Sequence, residues 1–210
     1  MIRVQLQPEP AGFDKDVRQK GLADLRKKGI AVDQLPSKGS ELAPFWRTSL
    51  GDLYKAYGGI CAYLAIHFER VLGVASVDHF VAKSQHQARL AYEWDNYRLA
   101  CQAMNNRKNK FDDVLDPFTV TNGWFQLELI TGHIYPARDF DAQKTKQVED
   151  TITRLKLNDP DIKRVRVQHF QDYFDQQFTS DHLKKISPFV WLEANRQGLL
   201  LGNQRSSSPQ

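Results

Sequence analysis

Long apolar runs are missing from this 210-residue chain, and none approaches the roughly 20 consecutive apolar residues that a membrane helix needs. No membrane association is therefore expected. The start Met1-Ile2-Arg3-Val4-Gln5 carries neither the apolar core nor the small-residue cleavage site of a signal peptide, so the cytoplasm is the expected compartment. Cysteine is scarce as well. Two thiols cannot by themselves fill a four-thiolate metal site, and a cytosolic protein keeps such a pair reduced. No internal repeat is present. What the chain does have is an ordinary globular mixture, 26% charged and 41% hydrophobic, long enough to bury a core in one domain or a little more. Its net charge of +4 and pI near 9.0 permit a polyanionic partner without requiring one.

Periodicity divides the chain. Phe13 to Lys28 reads as an amphipathic helix with Asp14 as N-cap, Val17, Leu22 and Leu25 on one side, and Gly29 as the stop. Residues 29–48 hold Pro36, Gly39 and Pro44 without a sustained period, which predicts a loop. Leu50, Leu53, Tyr54 and Tyr57 recur at helical spacing after Ser49, ended by Gly58-Gly59. The β-branched stretch Val71 to Val77 predicts a strand pair ending at His79, and Tyr97 to Lys108 a short strand running into a helix. Together these make a ββα unit. Trp124 to Ile130 and Ile134-Tyr135 form an expected hairpin around Thr131-Gly132-His133.

From Asp141 the pattern is helical. Val148, Ile152 and Leu155 lie on one face, and Asp159-Pro160 caps and opens a helix carrying Ile162, Val165, Phe170, Tyr173 and Phe174. Ser187-Pro188 starts a last helix closed by Gly198, and Gly202 to Gln210 is a polar, Ser-rich tail expected to be disordered. The predicted class is α+β: a mainly helical chain around a central ββα unit, with a small hairpin after it. The expected segments are an N-terminal helical part and loop (1–56), a site module (57–118), hairpin and C-terminal helices (119–201), and the tail (202–210).

Chemistry concentrates in the middle. Val77-Asp78-His79-Phe80, then Asp95-Asn96, then Asn105-Asn106-Arg107-Lys108 supply the parts for metal-assisted phosphodiester hydrolysis. His79 is the candidate base, since imidazole accepts a proton near neutral pH. Asp78 and Asn105 offer hard oxygen ligands for Mg²⁺ or Mn²⁺. Asn96, or a backbone carbonyl in its loop, is expected to hold the imidazole through its other N–H. Lys108, one turn after Asn105, is expected to meet a phosphate oxygen. Arg98, Arg107 and Lys110 crowd the same segment and suit nucleic-acid contact, although a charge run is also what a solvated helix face looks like. Each piece alone is weak, because Asp-His pairs and Asn pairs mostly mark turns or caps. Their order and spacing carry the reading.

From about Tyr57 to Pro117 the chain resembles HNH endonucleases. The run Tyr92-Glu93-Trp94-Asp95-Asn96-Tyr97-Arg98-Leu99-Ala100-Cys101, followed by Asn105-Asn106-Arg107-Lys108, is similar to the branch found with Septu and retron anti-phage systems. That resemblance implies a ββα-metal nuclease module with His79 as base, Asp78 and Asn105 on the metal, and Asn96 as the middle Asn. The last motif position is Asn rather than His, as in several HNH nucleases. It also implies anti-phage defence and a partner ATPase of the ABC or OLD type. One departure stands out. Many members of the resembled family carry two Cys-x-x-Cys knuckles, whereas here Cys61-Ala62-Tyr63-Leu64 and Cys101-Gln102-Ala103-Met104 each lack the second Cys. No structural zinc is expected, and apolar packing is expected to take over.

His67 lies in an apolar and aromatic stretch and could reach the site, but reads first as a packed residue; His86, His133, His169 and His182 lack partners at ligand spacing, and Trp46, Trp94, Trp124 and Trp191 read as core anchors rather than base-stacking platforms. Three functions compete: a metal-dependent endonuclease acting on nucleic acid, DNA ahead of RNA; an inactive HNH-like scaffold or binding subunit of an ATPase complex; and a basic protein that binds nucleic acid without metal, with strong salt sensitivity.

Overall fold

The computed structural model describes residues 1–72 and 75–200, so the expected tail from Gly202 lies outside the described residues. Among the described residues the protein is α+β, with seven α-helices and two separate antiparallel strand pairs. The first helix begins as a π-wound stretch, Asp14–Gln19, that continues into α1 (Lys20–Lys27). Phe13, not Asp14, holds its N-cap position, because the Asp14 carboxylate is taken by Arg18 and Gln19. Gly21 is required where α1 crosses Tyr92: a Cβ there would sit 2.3 Å from the ring. Residues 29–48 are irregular apart from short 3₁₀ turns, as their Pro and Gly content implies. The next helix, α2 (Leu50–Ala56), ends at Gly58 and Gly59, both at positive φ.

The strand pair β1 (Ala75–His79) and β2 (Tyr97–Cys101) runs antiparallel in the register Ala75 to Cys101 and His79 to Tyr97, and α3 (Gln102–Lys108) follows at once. The strand starts later than the β-branched stretch suggested. Val71 and Leu72 lie in an exposed 3₁₀ turn, 88% and 73% accessible, and residues 73 and 74 fall outside the described residues. The long connection between the strands, residues 80–96, folds back as two 3₁₀ turns and covers the end of β1.

The second pair, β3 (Phe125–Glu128) and β4 (His133–Pro136), is the expected hairpin with a longer turn. Gly132 sits in it at φ +69°, with the Lys163 carbonyl oxygen 2.4 Å from where a Cβ would be. Then come α4 (Ala142–Arg154), capped by Asp141, and α5 (Pro160–Phe174), capped by Asp159 with Pro160 in its first turn. The buried side of α5 is Arg166, Phe170 and Tyr173, while Val165 and Phe174 are exposed. Arg166 earns its place inward by donating to the Gly132 and Leu157 carbonyls. A short helix that the sequence pattern did not signal, α6 (Ser180–Ile186), is capped by Thr179, and α7 (Pro188–Arg196) closes the fold before Gly198.

Two apolar cores result. One joins the C-terminal helices and the β3–β4 hairpin to Cys61, Tyr63, Ala100 and Met104. The other joins α1, α2 and the 3₁₀ turns to Val77, Tyr92, Tyr97 and Leu99. Because strand side chains alternate, β2 sends Tyr97 and Leu99 to one core and Ala100 to the other. The ββα unit is thus wedged between both cores, which fixes the end of β1 from two sides.

Candidate active site

Alternation also separates the two neighbours at the end of β1. Asp78 and its cross-strand partner Arg98 occupy one face, His79 and its partner Tyr97 the other. Both acidic and imidazole groups nevertheless reach one polar pocket of about 510 Å³, shared with Lys83, Asn105, Asn109 and Lys110.

His79 is 5% exposed and clamped by aromatic edges, Trp46 at 4.8 Å and Tyr97 at 5.0 Å between ring centroids. Its Nε2 lies 3.0 Å from the Ala91 carbonyl oxygen. A carbonyl only accepts, so Nε2 carries the proton and Nδ1 of the neutral ring keeps its lone pair. Lys83 Nζ stands 3.5 Å from Nδ1. Burial, and then the Lys83 charge, pushes the imidazole pKa well below the usual histidine range, with only the Ala91 contact opposing. The ring is therefore neutral at pH 7, which is the form a general base needs.

Asp78 is 2% exposed. The Tyr63 hydroxyl donates to its Oδ2, and Lys108 Nζ lies 3.9 Å from Oδ1. Burial raises its pKa, opposed by Lys108, the Tyr63 hydrogen bond, Arg98 and Lys83. Asn105 donates from Nδ2 to the Val77 carbonyl at 3.4 Å and lines the pocket. Among the described residues there is no group of three or more His, Cys, Asp and Glu side chains arranged to hold a metal. Of the side chains lining the pocket that carry oxygen, the sequence-expected ligands Asp78 and Asn105 are joined by Ser84, Asn106 and Asn109. The expected pair suits a hard cation that keeps several waters, as Mg²⁺ does, rather than an all-protein cage.

Four expected roles fall differently. Asn96 does not touch the imidazole: it accepts from Val81 N–H at 2.7 Å and donates to the Val81 and Leu90 carbonyls, stitching the 80–96 connection shut. The Ala91 carbonyl holds the ring instead, from the same loop. Lys108 is fully buried, its ammonium donating to the carbonyls of His79, Phe80 and Asn109, so it has no donor to offer a phosphate. Arg98 is 3% exposed, forked onto Asp116 at 2.8 and 2.6 Å and stacked 3.4 Å over Phe118. Arg107 reaches away to the Leu155 and Lys156 carbonyls and Asp159, tying α3 to the C-terminal helices. Of the three expected nucleic-acid contacts only Lys110 lines the pocket. Lys83, Trp46 and Tyr63 are the site residues that spacing did not signal.

The truncated knuckles are packed. Cys61 and Cys101 are free thiols in hydrogen-bond contact, with Met104 buried beside them and Leu64 against the same core. Burial pushes the Cys61 pKa up. The Cys61 hydrogen bond, helped by backbone N–H groups at the start of α3, lowers that of Cys101 to about 6. His67 faces Glu69 at 3.9 Å, and neither it nor the other four histidines lines the pocket. No helix among the described residues is long and apolar enough to cross a membrane. Comparison of the chain with protein-family models and with curated proteins finds no match.

Proposed function

We propose that this protein is a metal-dependent endonuclease of the HNH type, hydrolysing phosphodiester bonds in nucleic acid. The observation that carries the reading is His79: a buried imidazole, held through Nε2 by the Ala91 carbonyl with Nδ1 facing Lys83, in a residue that lines one polar pocket together with Asp78 and Asn105. In the reaction Nδ1 takes a proton from water, the water oxygen bonds to phosphorus, and the bond from phosphorus to the leaving oxygen breaks. Asp78 and Asn105 would hold Mg²⁺ or Mn²⁺, which supplies charge stabilisation at the phosphate and the leaving oxygen. Trp46, Tyr97 and the Ala91 carbonyl keep the ring from turning. DNA is the preferred substrate reading over RNA, and control by an ABC or OLD-type ATPase in anti-phage defence belongs to the same proposal.

The test is incubation with plasmid, single-stranded DNA and total RNA in Mg²⁺ or Mn²⁺, against His79→Ala and EDTA. The expected result is cleavage of at least one substrate, reduced by about 10²–10⁴-fold in His79→Ala and abolished by EDTA. Cleavage that survives both controls removes the proposal.

A second reading, an inactive scaffold, has its own support. Asp78 is deeply buried and engaged by Tyr63 and Lys108, as a purely structural carboxylate would be. It predicts no cleavage under any metal and no phenotype for His79→Ala.

A further inference from the structure

Lys83 is the one pocket cation whose ammonium is brought to the base. Its Nζ lies 4.2 Å over the Trp46 ring and 3.5 Å from His79 Nδ1, and among the described residues it makes no ion pair with a carboxylate. Three other basic groups of the ββα unit have partners, Arg98 on Asp116, Arg107 on Asp159 and Lys108 on three carbonyls, while Lys110 lines the pocket rim without a hydrogen bond or ion pair among the described residues. An ammonium has three N–H donors, and here the contacts are an aromatic face and one long approach to a ring nitrogen. Burial pushes its pKa down, Asp78 pushes it back, and exposed Arg47 adds a like charge. A half-buried cation in that setting gains from an anion more than a solvated lysine does, because charge-assisted hydrogen bonds to phosphate are about twice as strong as neutral ones.

We propose that Lys83 is the phosphate-binding residue of the pocket, resting on Trp46 and taking a non-bridging oxygen of the phosphodiester beside His79. The inference rests on reading the pocket as a phosphodiester site and deepens it: the group that positions the phosphate is Lys83, not Lys108. Since Nζ is 3.5 Å from Nδ1, a phosphate oxygen on Lys83 brings phosphorus to the side of the imidazole that lacks a proton.

Binding without cleavage tests it. The probe is a fluorescein-labelled single-stranded DNA 12-mer in EDTA, read by anisotropy across a salt series, beside the same oligonucleotide with an uncharged methylphosphonate backbone. Lys83→Gln should raise Kd about tenfold, or ~1.4 kcal/mol. It should also flatten the salt slope by about 0.7. Lys83→Arg, which keeps a cation, should recover most of the affinity, and Lys110→Gln at the rim should change Kd by only about twofold. The charged 12-mer, and not the methylphosphonate one, should alter tryptophan emission of the wild-type protein as Nζ shifts over Trp46. That readout needs no variant to fold. Unchanged binding in a folded Lys83→Gln, equal losses in Lys83→Gln and Lys110→Gln, equal emission changes with both oligonucleotides, or no binding by the wild type would each overturn the assignment. The binding assay contains no metal, so its outcome is independent of cleavage: a protein that binds as described yet cuts nothing when Mg²⁺ or Mn²⁺ is supplied counts against the nuclease reading and leaves Lys83 standing.

Discussion

Replacing Lys108 by Met separates a structural lysine from a phosphate-binding one. The wild-type ammonium is inaccessible to solvent and donates to the His79 carbonyl at 3.1 Å, the Phe80 carbonyl at 2.6 Å and the Asn109 carbonyl at 3.5 Å, with Asp78 Oδ1 at 3.9 Å. Methionine matches the length of the stem and none of these donors. Two well-made bonds to carbonyls are lost and Asp78 is left as a buried charge without its cation, a change that costs about 3–5 kcal/mol. For a chain of this size that lowers Tm by roughly 6–20 °C. The penalty has a second component that can be isolated. Burial already raises the Asp78 pKa and Lys108 is the largest influence opposing it, so in Lys108→Met the carboxyl is harder still to ionise. A folded-state pKa above the unfolded value means stability is fullest in acid and is lost as pH rises through the folded pKa. Lys108→Met should therefore recover part of its deficit at low pH, and Asp78→Asn added to it should restore more stability than Asp78→Asn alone changes in the wild type. Urea melts of the four proteins across pH give the cycle. A single variant within about 1 kcal/mol of wild type, with weakened and less salt-sensitive nucleic-acid binding, would show that Lys108 works at a phosphate after all.

Cys101 should react with iodoacetamide at a lower pH than an ordinary thiol, because its hydrogen bond from Cys61 and the N–H groups of α3 favour the thiolate, while buried Cys61 stays unlabelled in the native protein. Mass spectrometry of the alkylated protein reads this directly, and equal labelling of both thiols would refute it. Gly21→Ala should destabilise by about 1–3 kcal/mol despite alanine's better helix propensity, since the new Cβ would stand 2.3–2.5 Å from the buried Tyr92 ring. A rise in Tm would mean that α1 does not cross Tyr92 as described.

What could be read from the sequence is what is encoded locally. The passage from β2 into α3 shows as Tyr97 and Leu99 alternating with Arg98 and Ala100 before the spacing turns helical, and the Asp159-Pro160 start of α5 is a local signal of the same kind. The start of β1 is not local. β-Branched Val71 suits a strand by propensity, yet it lies in a 3₁₀ turn, and among the described residues the ladder is first seen where Ala75 meets Cys101, a partner that lies across the long connection. The helix α6 has one buried residue, Leu183, so it leaves almost no apolar period to detect.

The same division explains the charges. Arg98, Arg107, Lys108 and Lys110 look like one basic run because they are close in the chain. Their fates are settled by Asp116, by the carbonyls of Leu155 and Lys156, and by the end of β1, none of which adjoins the run. Three of those four cations are spent inside the protein, whereas Lys83, alone in its stretch and bearing no pattern, stands beside the base. A basic segment is evidence for a polyanion only to the extent that its charges lack internal partners. By that criterion the proposed nucleic-acid face would be built on Lys83 and Lys110, and it is narrower than the run of basic residues in the sequence suggests.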